Sequence, residues 1–407
     1  MAKNLTQKLF EAHLAEPAEL VPGREIKVTV DQTLTHDINA VMAYLAFEAL
    51  DLERVRTKLS VSYIDHNLLQ IDNKTPDDHI YLQSIAQKYG LILSKAGNGI
   101  CHALQCSRFG KPGALLLGGD SHTPSCGALG MLAIGVGGMD IAVALAGFPY
   151  VMKMPKVVKV ELKGRLQPGT AAKDIILEML RRTTVKGGVG KVYEYVGEGV
   201  ETLSIPERLT IANMGAEMGA TTSVFPADEQ VRNFLKAQDR EQDYTEWLPD
   251  AGCSYDEEIT LDLDALEPLV ACPHMPDNVM KVADVPKVPV QQVFIGSCTN
   301  GSYSDFKKVA LVLKGHKINP GVSLVLGISS RQIYLQLLQD GVVADLLNAG
   351  ARITEFACGP CCGIGIAPSS KGISVRTSNR NFKGRSSTVD ASLYLVSPEV
   401  AAVTAIK

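Results

Sequence analysis

Three cysteine residues on glycine-rich turns are the first candidates for chemistry in this sequence. Cys358 and Cys361 lie three positions apart across a Gly-Pro step, within the run Glu355 to Ile366. Gly and Pro favour a turn, so both sulfurs can point into one space. Cys298 follows the apolar stretch Val293 to Ile295, which predicts a position at the carboxyl end of a strand. Ligands bind outside the carboxyl ends of strands in open α/β sheets, so this position favours a binding site.

A set of three thiols is compatible with several kinds of site. Three thiolates suit a cubane iron–sulfur cluster, in which one iron without a protein ligand can act as a Lewis acid. A fourth cysteine ligand would instead give an electron carrier. A CxxC pair is also typical of zinc sites and thioredoxin-like sites, and buried free cysteine often only packs. Spacing alone leaves these alternatives open.

Two acid–histidine pairs follow predicted strands. Asp65-His66 joins a carboxylate to an imidazole, and so does Asp120-Ser121-His122. Such pairs are typical of acid/base chemistry. Taken alone, the first pair also fits an exposed surface site. The second also fits a helix N-cap, which itself attracts anions.

Several other polar residues indicate a functional site only when they are considered together. Asn213 and Glu217 lie four apart in a predicted helix and therefore on one face. Arg380 and Arg385 suit the paired hydrogen bonds that substrate carboxylates accept, or else form a solvated basic loop. Taken alone, His102 fits a satisfied core histidine.

The elements that must position these residues alternate along the chain. An apolar strand is repeatedly followed by a polar or glycine-rich turn and then a helix, as at strands Lys58 to Ile64 and Pro112 to Leu117. This pattern predicts doubly wound α/β layers with chemistry at the strand ends. The polar stretch Asp31 to His36 predicts a turn. Lys281 to Pro289, with two prolines, predicts a linker between domains.

Length and composition limit the number of domains, the class of protein and its possible partners. A chain of 407 residues predicts two to four domains, and 46% hydrophobic residues with 36 glycines suit a loop-rich α/β enzyme. A net charge of −4 and a pI near 6.1 argue against nucleic-acid and anionic-membrane partners. Nine cysteines without disulfide-framework spacing indicate a reducing compartment. With no secretory signal and no run of about 18 apolar residues, the expected location is the cytoplasm.

Four motifs together resemble the aconitase family, which includes aconitase, homoaconitase, 3-isopropylmalate dehydratase and dimethylmalate dehydratase. In chain order they are GDSHTP from Gly119, GSCTN from Gly296, ACGPC from Ala357 and SNRNFKGR from Ser378. The resemblance runs from Asp31 to Ser397. It implies three aconitase-type α/β domains with open doubly wound sheets around a shared iron–sulfur site. Domains 1 and 2 would occupy residues 1–285 and domain 3 residues 286–407.

The resemblance also implies roles for individual residues. A [4Fe-4S] cluster with one open iron would be held by Cys298, Cys358 and Cys361. Catalytic roles would fall to Asp65, His66, His102, Asp120, His122 and Glu217, with Glu217 as the partner of His102. Substrate-binding roles would fall to His36, Asp120, Ser121, His122, Asn213, Arg380 and Arg385.

Two departures from the family pattern bear on the substrate. His36 stands where aconitases usually carry a glutamine and where isopropylmalate-type large subunits often have histidine. By contrast, the stretch Asn213 to Pro226 is more similar to aconitase. The two indications point in opposite directions.

A missing segment bears on assembly. Fused members of the family continue into a swivelling domain that supplies a serine base, whereas this sequence ends at Lys407 without one. The resemblance therefore implies a large subunit that needs a small swivel-domain partner and a small carboxylate substrate.

The implied activity is that of a hydro-lyase, which removes and re-adds water on a hydroxy di- or tricarboxylate. The class would be 3-isopropylmalate dehydratase or aconitate hydratase, with homoaconitase and 2,3-dimethylmalate dehydratase as alternatives. A cluster-less RNA-binding regulator is a hypothesis from another class, which the acidic charge disfavours. A simple redox carrier is a third, disfavoured by three ligands rather than four.

Overall fold

The computed structural model describes residues 2–407. Its strands are β1 (Glu25–Val28), β2 (Gln32–His36), β3 (Leu59–Tyr63), β4 (Ile92–Ser94), β5 (Leu115–Gly118), β6 (Leu132–Gly135), β7 (Tyr150–Lys153), β8 (Lys156–Lys163), β9 (Lys191–Val196), β10 (Thr222–Val224), β11 (Glu257–Asp262), β12 (Leu269–Ala271), β13 (Val279–Lys281), β14 (Gln292–Gly296), β15 (Ser323–Gly327), β16 (Arg352–Ile353), β17 (Ile373–Arg376) and β18 (Ser392–Leu395).

Helices connect most of these strands. The α-helices are α1 (Leu5–His13), α2 (Ala40–Glu48), α3 (Lys74–Tyr89), α4 (Cys101–Leu104), α5 (Gly138–Leu145), α6 (Ala172–Thr183), α7 (Glu198–Glu201), α8 (Ile205–Gly215), α9 (Glu229–Ala237), α10 (Ser297–Asn300), α11 (Tyr303–Leu313), α12 (Arg331–Gln339), α13 (Val342–Ala349) and α14 (Pro398–Ile406). Short 3-10 turns lie at three places near the site, Thr123–Leu129, Ala216–Met218 and Gly359–Cys362.

The first sheet is parallel and has the strand order β4-β3-β2-β5-β6. The chain builds outward from β2 to β4 and then returns to add β5 and β6 on the other side. The winding direction therefore reverses between β2 and β5. A crevice opens at such a reversal, outside the carboxyl ends of the strands, and it is the usual ligand site of this architecture.

The largest sheet repeats this arrangement at its centre, with the order β13-β12-β18-β17-β14-β15-β16. Strands β14 to β18 are parallel, and the winding reverses between β14 and β17. Strands β12 and β13 extend one edge in the antiparallel direction. A third sheet, β10-β9-β8-β11, is fully parallel, and β1 pairs with β7 as an antiparallel ribbon.

Helices or other elements cover both faces of the first sheet, as the residue pattern requires. Along β5, Leu115 and Leu117 belong to one hydrophobic core, whereas Leu116 belongs to another on the opposite face. Successive side chains of a strand point to opposite faces, so a continuous run of leucines is typical of a strand buried on both sides. The predicted α/β class with open doubly wound sheets is confirmed.

The predicted turn from Asp31 to His36 is wrong, because residues Gln32–His36 form the fully buried strand β2. Its polar side chains find partners inside the protein. Thr33 donates to Ser60 Oγ at 2.7 Å, and the hydroxyls of Thr35 and Tyr44 lie 2.7 Å apart. Buried hydroxyls that are hydrogen-bonded carry little penalty, so a polar sequence can occupy a central strand.

The largest sheet begins earlier than the predicted boundary at residue 285. Strands β12 and β13 lie before that residue, yet β12 pairs with β18. A division between β11 and β12 would keep each sheet in one unit, and we propose it in place of the boundary at 285. Among residues 2–407, no helix is both long enough and apolar enough to cross a membrane.

Asp31 joins the amino-terminal helix to the first sheet and provides a test of the fold. Its carboxylate lies 2.7 Å from His13 Nε2 and 2.7 Å from Lys58 Nζ, and it accepts the Leu115 N–H at 3.0 Å. Burial would raise the pKa of Asp31, but the hydrogen bonds from His13 and Lys58 outweigh it and lower that pKa well below 3.8.

The D31N variant is expected to lower the free energy of unfolding at pH 7 by about 1–3 kcal/mol, mainly through the buried bonds, since Lys58 is largely exposed. A depressed carboxylate pKa contributes stability that is present above the ordinary pKa of 3.8 and is lost as the pH falls below it. Urea unfolding should therefore show a smaller difference in the free energy of unfolding between wild type and D31N at pH 3 than at pH 7. The exposed Asp390 offers the control D390N. An equal loss at both pH values would contradict this account.

Candidate active site

The residues singled out by the sequence gather at the carboxyl ends of parallel strands, at both winding reversals. In the first sheet, His36 ends β2 and Asp120 follows β5, and His36 Nε2 lies 3.3 Å from Asp120 Oδ2. In the largest sheet, Cys298 follows β14 and Asn379 follows β17. The Asn379 amide N–H donates to Cys298 Sγ at 3.5 Å. Both crevices therefore contribute to one site.

The turn that carries Cys298 depends on a glycine. Gly296 has φ 143°, and a Cβ atom there would lie 2.1 Å from the carbonyl oxygen of Gly327 on the neighbouring strand. Only glycine tolerates both conditions. The chain then enters the short helix α10, where Cys298 is buried.

The thiols of Cys298 and Cys361 share one side-chain partner. Asn379 donates to Cys298, and its Oδ1 lies 3.8 Å from Cys361 Sγ. Asn213 donates a second hydrogen bond to Cys298 Sγ, at 3.2 Å. Cys358 lies on the same turn as Cys361, whose N–H donates to the Cys358 carbonyl at 3.0 Å. The predicted cysteines thus lie on two loops, and Asn379 on a third loop contacts both Cys298 and Cys361.

The electrostatics of these thiols suit metal ligation. Burial raises the pKa of Cys298 to about 12, and the neighbouring charge of Cys361 adds to the effect. Burial also raises the pKa of Cys358 well above its usual range, with contributions from Cys298 and Cys361. Three thiolates so close together repel one another and require bound cationic metal to stabilise them.

The spacing of the sulfurs favours a cluster over a single ion. Among residues 2–407, the sets of ligand atoms that lie within 4.8 Å of one another do not include the three thiols together. Three thiolates on one zinc ion would be only about 3.8 Å apart, given tetrahedral bonds of about 2.3 Å. The donors present therefore fit an iron–sulfur cluster better than a zinc site.

Asp120 is the centre of a histidine network. His102 Nε2 lies 2.8 Å from its Oδ1, the His122 N–H donates to the same oxygen at 2.7 Å, and His36 approaches the other oxygen. Burial alone would raise the pKa of Asp120, but the charge and hydrogen bond of His102, with the bonds of His122 and His36, hold it well below 3.8.

The predicted pairing of His102 with Glu217 is wrong. His102 faces Asp120, whereas Glu217 Oε1 lies 2.8 Å from His122 Nε2 and accepts the Arg380 Nε–H at 2.8 Å. Glu217 follows α8 in a 3-10 turn and so reaches the nearer imidazole. Burial lowers the pKa of His122, but hydrogen bonds to Asp120 and Glu217 outweigh it and raise that pKa.

Asp65 and His66 form the predicted pair, with His66 Nδ1 2.8 Å from Asp65 Oδ1. Burial would lower the pKa of His66, but the charge and hydrogen bond of Asp65 raise it to about 9. The other Asp65 oxygen accepts the Cys101 N–H at 2.7 Å, and the Asp65 carbonyl accepts the Cys358 N–H at 2.6 Å. The pair is therefore joined directly to the cysteine turn.

Asp37 is a site residue that sequence reasoning missed. Its carboxylate accepts the N–H groups of Asp65 at 3.1 Å, His66 at 3.0 Å and Asn67 at 2.7 Å. It thereby fixes the loop that carries the acid–histidine pair, and the His36 and His66 rings stack at 3.9 Å. Its place directly after His36, at the end of a strand, is the signal that could have identified it. Asn379 was missed in the same way, although it lies inside the SNRNFKGR motif.

The two predicted substrate arginines differ in their surroundings. Arg380 is engaged with Glu217 and also donates to Ser121 Oγ at 2.8 Å. Arg385 is largely buried, and its Nε has no hydrogen-bond partner among residues 2–407. Burial would lower the pKa of Arg385, but the nearby thiols of Cys361, Cys362 and Cys358 raise it. An unsatisfied buried N–H suits an anionic ligand.

Asn213 has little capacity left for substrate. Its amide nitrogen donates to Ser125 and Cys298, and its oxygen accepts from Thr299 and Asn379. An amide can make about four such bonds, so all are in use. This favours a role in holding Cys298 over the predicted contact with substrate.

Comparison with known proteins agrees with this geometry. Residues 7–289 and 283–407 match the family model described as "Aconitase family (aconitate hydratase)". The chain is 36% identical to 3-isopropylmalate dehydratase large subunit 1 of Thermotoga maritima, over 100% of this chain and 97% of that protein. It is also 36% identical to large subunit 2 of Archaeoglobus fulgidus, over 100% of this chain and 98% of that protein.

A solved structure supports the fold alone. The holo form of Thermococcus kodakaraensis aconitase X aligns with a TM-score of 0.50 at 13% sequence identity, covering 93% of this chain and 89% of that one. The family match and the full-length relatives go further, and family membership implies an iron–sulfur cluster. The chain therefore belongs to the aconitase family, as a large-subunit-type hydro-lyase.

Proposed function

We propose that this chain is the large subunit of a 3-isopropylmalate dehydratase, with a [4Fe-4S] cluster on Cys298, Cys358 and Cys361. The observation that carries the proposal is the junction of two groups of residues. The Asp65 carbonyl accepts the Cys358 N–H, while the side chain of Asp65 holds His66. A metal-ligand turn and an acid–histidine pair are thus joined within one residue. The full-length relatives named for this enzyme, and the histidine at position 36, support the choice of substrate.

The residues of this chain would divide the reaction between them. A bound cluster would supply a Lewis acid at its open iron, which polarises the hydroxyl of the substrate. His66, whose Nδ1 is held by Asp65, presents Nε2 toward Asp120 and can give a proton to the departing oxygen. Arg385, with its unpaired Nε, would bind a substrate carboxylate.

Activity of the assembled enzyme tests the proposal. The full chain, combined with a small swivel-domain subunit and reconstituted with iron and sulfide, would be offered 3-isopropylmalate, citrate, homocitrate and 2,3-dimethylmalate. Absorbance of the unsaturated acid should rise with 3-isopropylmalate, with kcat/KM at least about tenfold above the others. A full cluster without turnover of any of these acids would contradict the hydro-lyase assignment. Preference for another acid would contradict only the choice of substrate.

A small subunit is the second part of the proposal, and exposed apolar side chains support it. Ile38, Met42, Ile71 and Met139, which we call the apolar rim, are 57%, 71%, 92% and 70% exposed. Each follows the carboxyl end of a parallel strand in the first sheet, on the edge that carries His36, His66 and Asp120. Several large exposed apolar side chains at one end of a sheet favour a protein interface there. The relatives are themselves named large subunits, so we infer that the partner is the small subunit.

The double variant M42E/I71D is expected to weaken small-subunit binding at least about tenfold, because burying two charges at an interface is costly. Leu311 on α11 is 72% exposed, so L311E is a matched control far in sequence from the rim. Titration of the small subunit, followed by calorimetry, would measure the affinities. Equal affinity of the small subunit for wild type, M42E/I71D and L311E would show that the apolar rim is not part of the interface.

The compartment follows from the same chemistry. All nine cysteines are free, and free thiols are typical of a reducing compartment. We therefore infer that the enzyme works in the cytoplasm.

A further inference from the structure

Two arginine side chains are fully buried in this protein, and only one has a carboxylate partner. Arg208 forms an ion pair with Asp228, whose carboxylate it contacts at 2.6 Å. Arg376, on β17, lies within 4 Å of no carboxylate among residues 2–407. Buried guanidinium groups are normally paired, since an isolated buried charge is strongly unfavourable. Arg376 therefore needs an explanation.

Neutral groups hold the Arg376 side chain in place. Its Nε donates to Ser374 Oγ at 2.9 Å, and one Nη donates to Gln292 Oε1 at 2.9 Å and the Ile366 carbonyl at 3.1 Å. The other Nη approaches the Cys361 carbonyl at 3.5 Å. The guanidinium thus contacts both ends of the segment from Cys361 to Ile366, directly behind the cysteine turn.

The acidic groups that influence Arg376 are the thiols of Cys361 and Cys362. Burial lowers the pKa of Arg376 to about 10, so it remains charged at neutral pH, and Cys361 and Cys362 act in the opposite direction. The remaining ionisable group that influences it is another cation, Arg385. Cysteines that hold a metal cluster do so as thiolates. A cluster on Cys361 would therefore place negative charge beside the segment that Arg376 contacts at the Cys361 carbonyl.

We propose that Arg376 is a positioning residue whose fixed positive charge stabilises the metal-bound form of the cysteine turn and thereby sets how firmly the cluster is held. This inference rests on the proposed cluster. Removing the charge should favour the metal-free chain and the oxidised cluster, because both reduce the negative charge that Arg376 faces.

The effect on the metal-free fold should be small, because the partners of Arg376 keep other hydrogen bonds. Gln292 Oε1 still accepts from Ser374 Oγ at 2.8 Å, and the Ile366 carbonyl still accepts from Gln292 Nε2 at 3.1 Å. Replacing an unpaired buried charge with an apolar chain of similar length is often neutral or stabilising. If Arg376 acts through its charge, replacing it should leave the stability of the metal-free protein unchanged or raise it. If Arg376 only holds the fold together, replacing it should lower that stability.

The test compares R376M with R376K in the full-length chain reconstituted with iron and sulfide. R376M is expected to release iron to a chelator about tenfold faster than wild type. Its cluster should have a more negative reduction potential, and the Tm of the metal-free chain should not fall. R376K, which keeps the charge but not the fork of donors, should restore the potential and most of the retention.

Two results would overturn the inference about Arg376, and a third would contradict the proposed function on which it rests. Equal impairment of R376K and R376M would show that hydrogen-bond geometry matters rather than charge. Unchanged iron release in R376M would show that Arg376 has no role in retention. Failure of the wild-type chain to assemble any cluster would contradict the proposed function itself.

Discussion

The C361S variant is expected to lose the cluster and, with it, more than about a hundredfold of the activity. Removing a group one step behind a metal ligand already costs about 10–100-fold, and Cys361 is a proposed ligand itself. Its sulfur is buried beside Asn379, which also contacts Cys298, so no neighbouring cysteine can replace it without moving the turn. Iron and sulfide content, measured together with turnover by the assembled enzyme, would establish the loss.

The adjacent Cys362 provides the matched control. It follows Cys361 directly but is only partly buried, and it makes no side-chain hydrogen bond to Asn379 or Asn213. C362S should therefore keep its cluster and its activity. Loss of the cluster in C362S with retention in C361S would reverse the assignment of the ligands.

The D120N variant is expected to reduce kcat by about 10²–10⁴, while KM changes less. Asp120 bonds the imidazole of His102 and the backbone N–H of His122 through one oxygen and faces His36 with the other. An amide presents an acceptor on one side only, so one histidine would meet an N–H group and change its tautomer or orientation. Disturbing a carboxylate that orients a catalytic imidazole has effects of this size.

The exposed Asp140 is the control for D120N. It accepts the Gly137 N–H at 3.3 Å at the start of α5 and makes no hydrogen bond or ion pair with His36, His66, His102 or His122. D140N should cost about 1 kcal/mol of stability or less, and none of the activity. Steady-state kinetics on both variants, with cluster content measured in parallel, separates catalysis from assembly. Full activity in D120N would show that catalysis does not depend on Asp120 orienting the histidines.

Local patterns in the sequence predict the strand ends well. Leu115 to Leu117 is too apolar to be anything but a buried strand, and the residues after it are small and polar. The same reasoning correctly places Cys298 after β14. The sequence pattern fails at β2, where Thr33 and Thr35 look like turn residues. Their partners, Ser60 and Tyr44, come from other elements, and no local pattern shows that these hydroxyls will be satisfied.

Pairings between distant residues are harder to predict than the residues themselves. The sequence identifies His102, His122, Asp120 and Glu217 as members of one site, but it assigns Glu217 to the wrong histidine. The partners lie on separate loops, and their pairing depends on how those loops pack against one another in the folded protein. Arg376 was missed for a related reason, because its lack of a carboxylate partner can be seen only in the folded protein.

Iron-57 Mössbauer spectroscopy of the reconstituted full-length enzyme, recorded with and without 3-isopropylmalate, tests the central claim most directly. If Cys298, Cys358 and Cys361 hold a cluster with one open corner, one iron in four should differ from the rest, and its signal alone should shift when the substrate binds. Four equivalent irons that do not respond to substrate, or a site that takes up a single ion, would contradict the account.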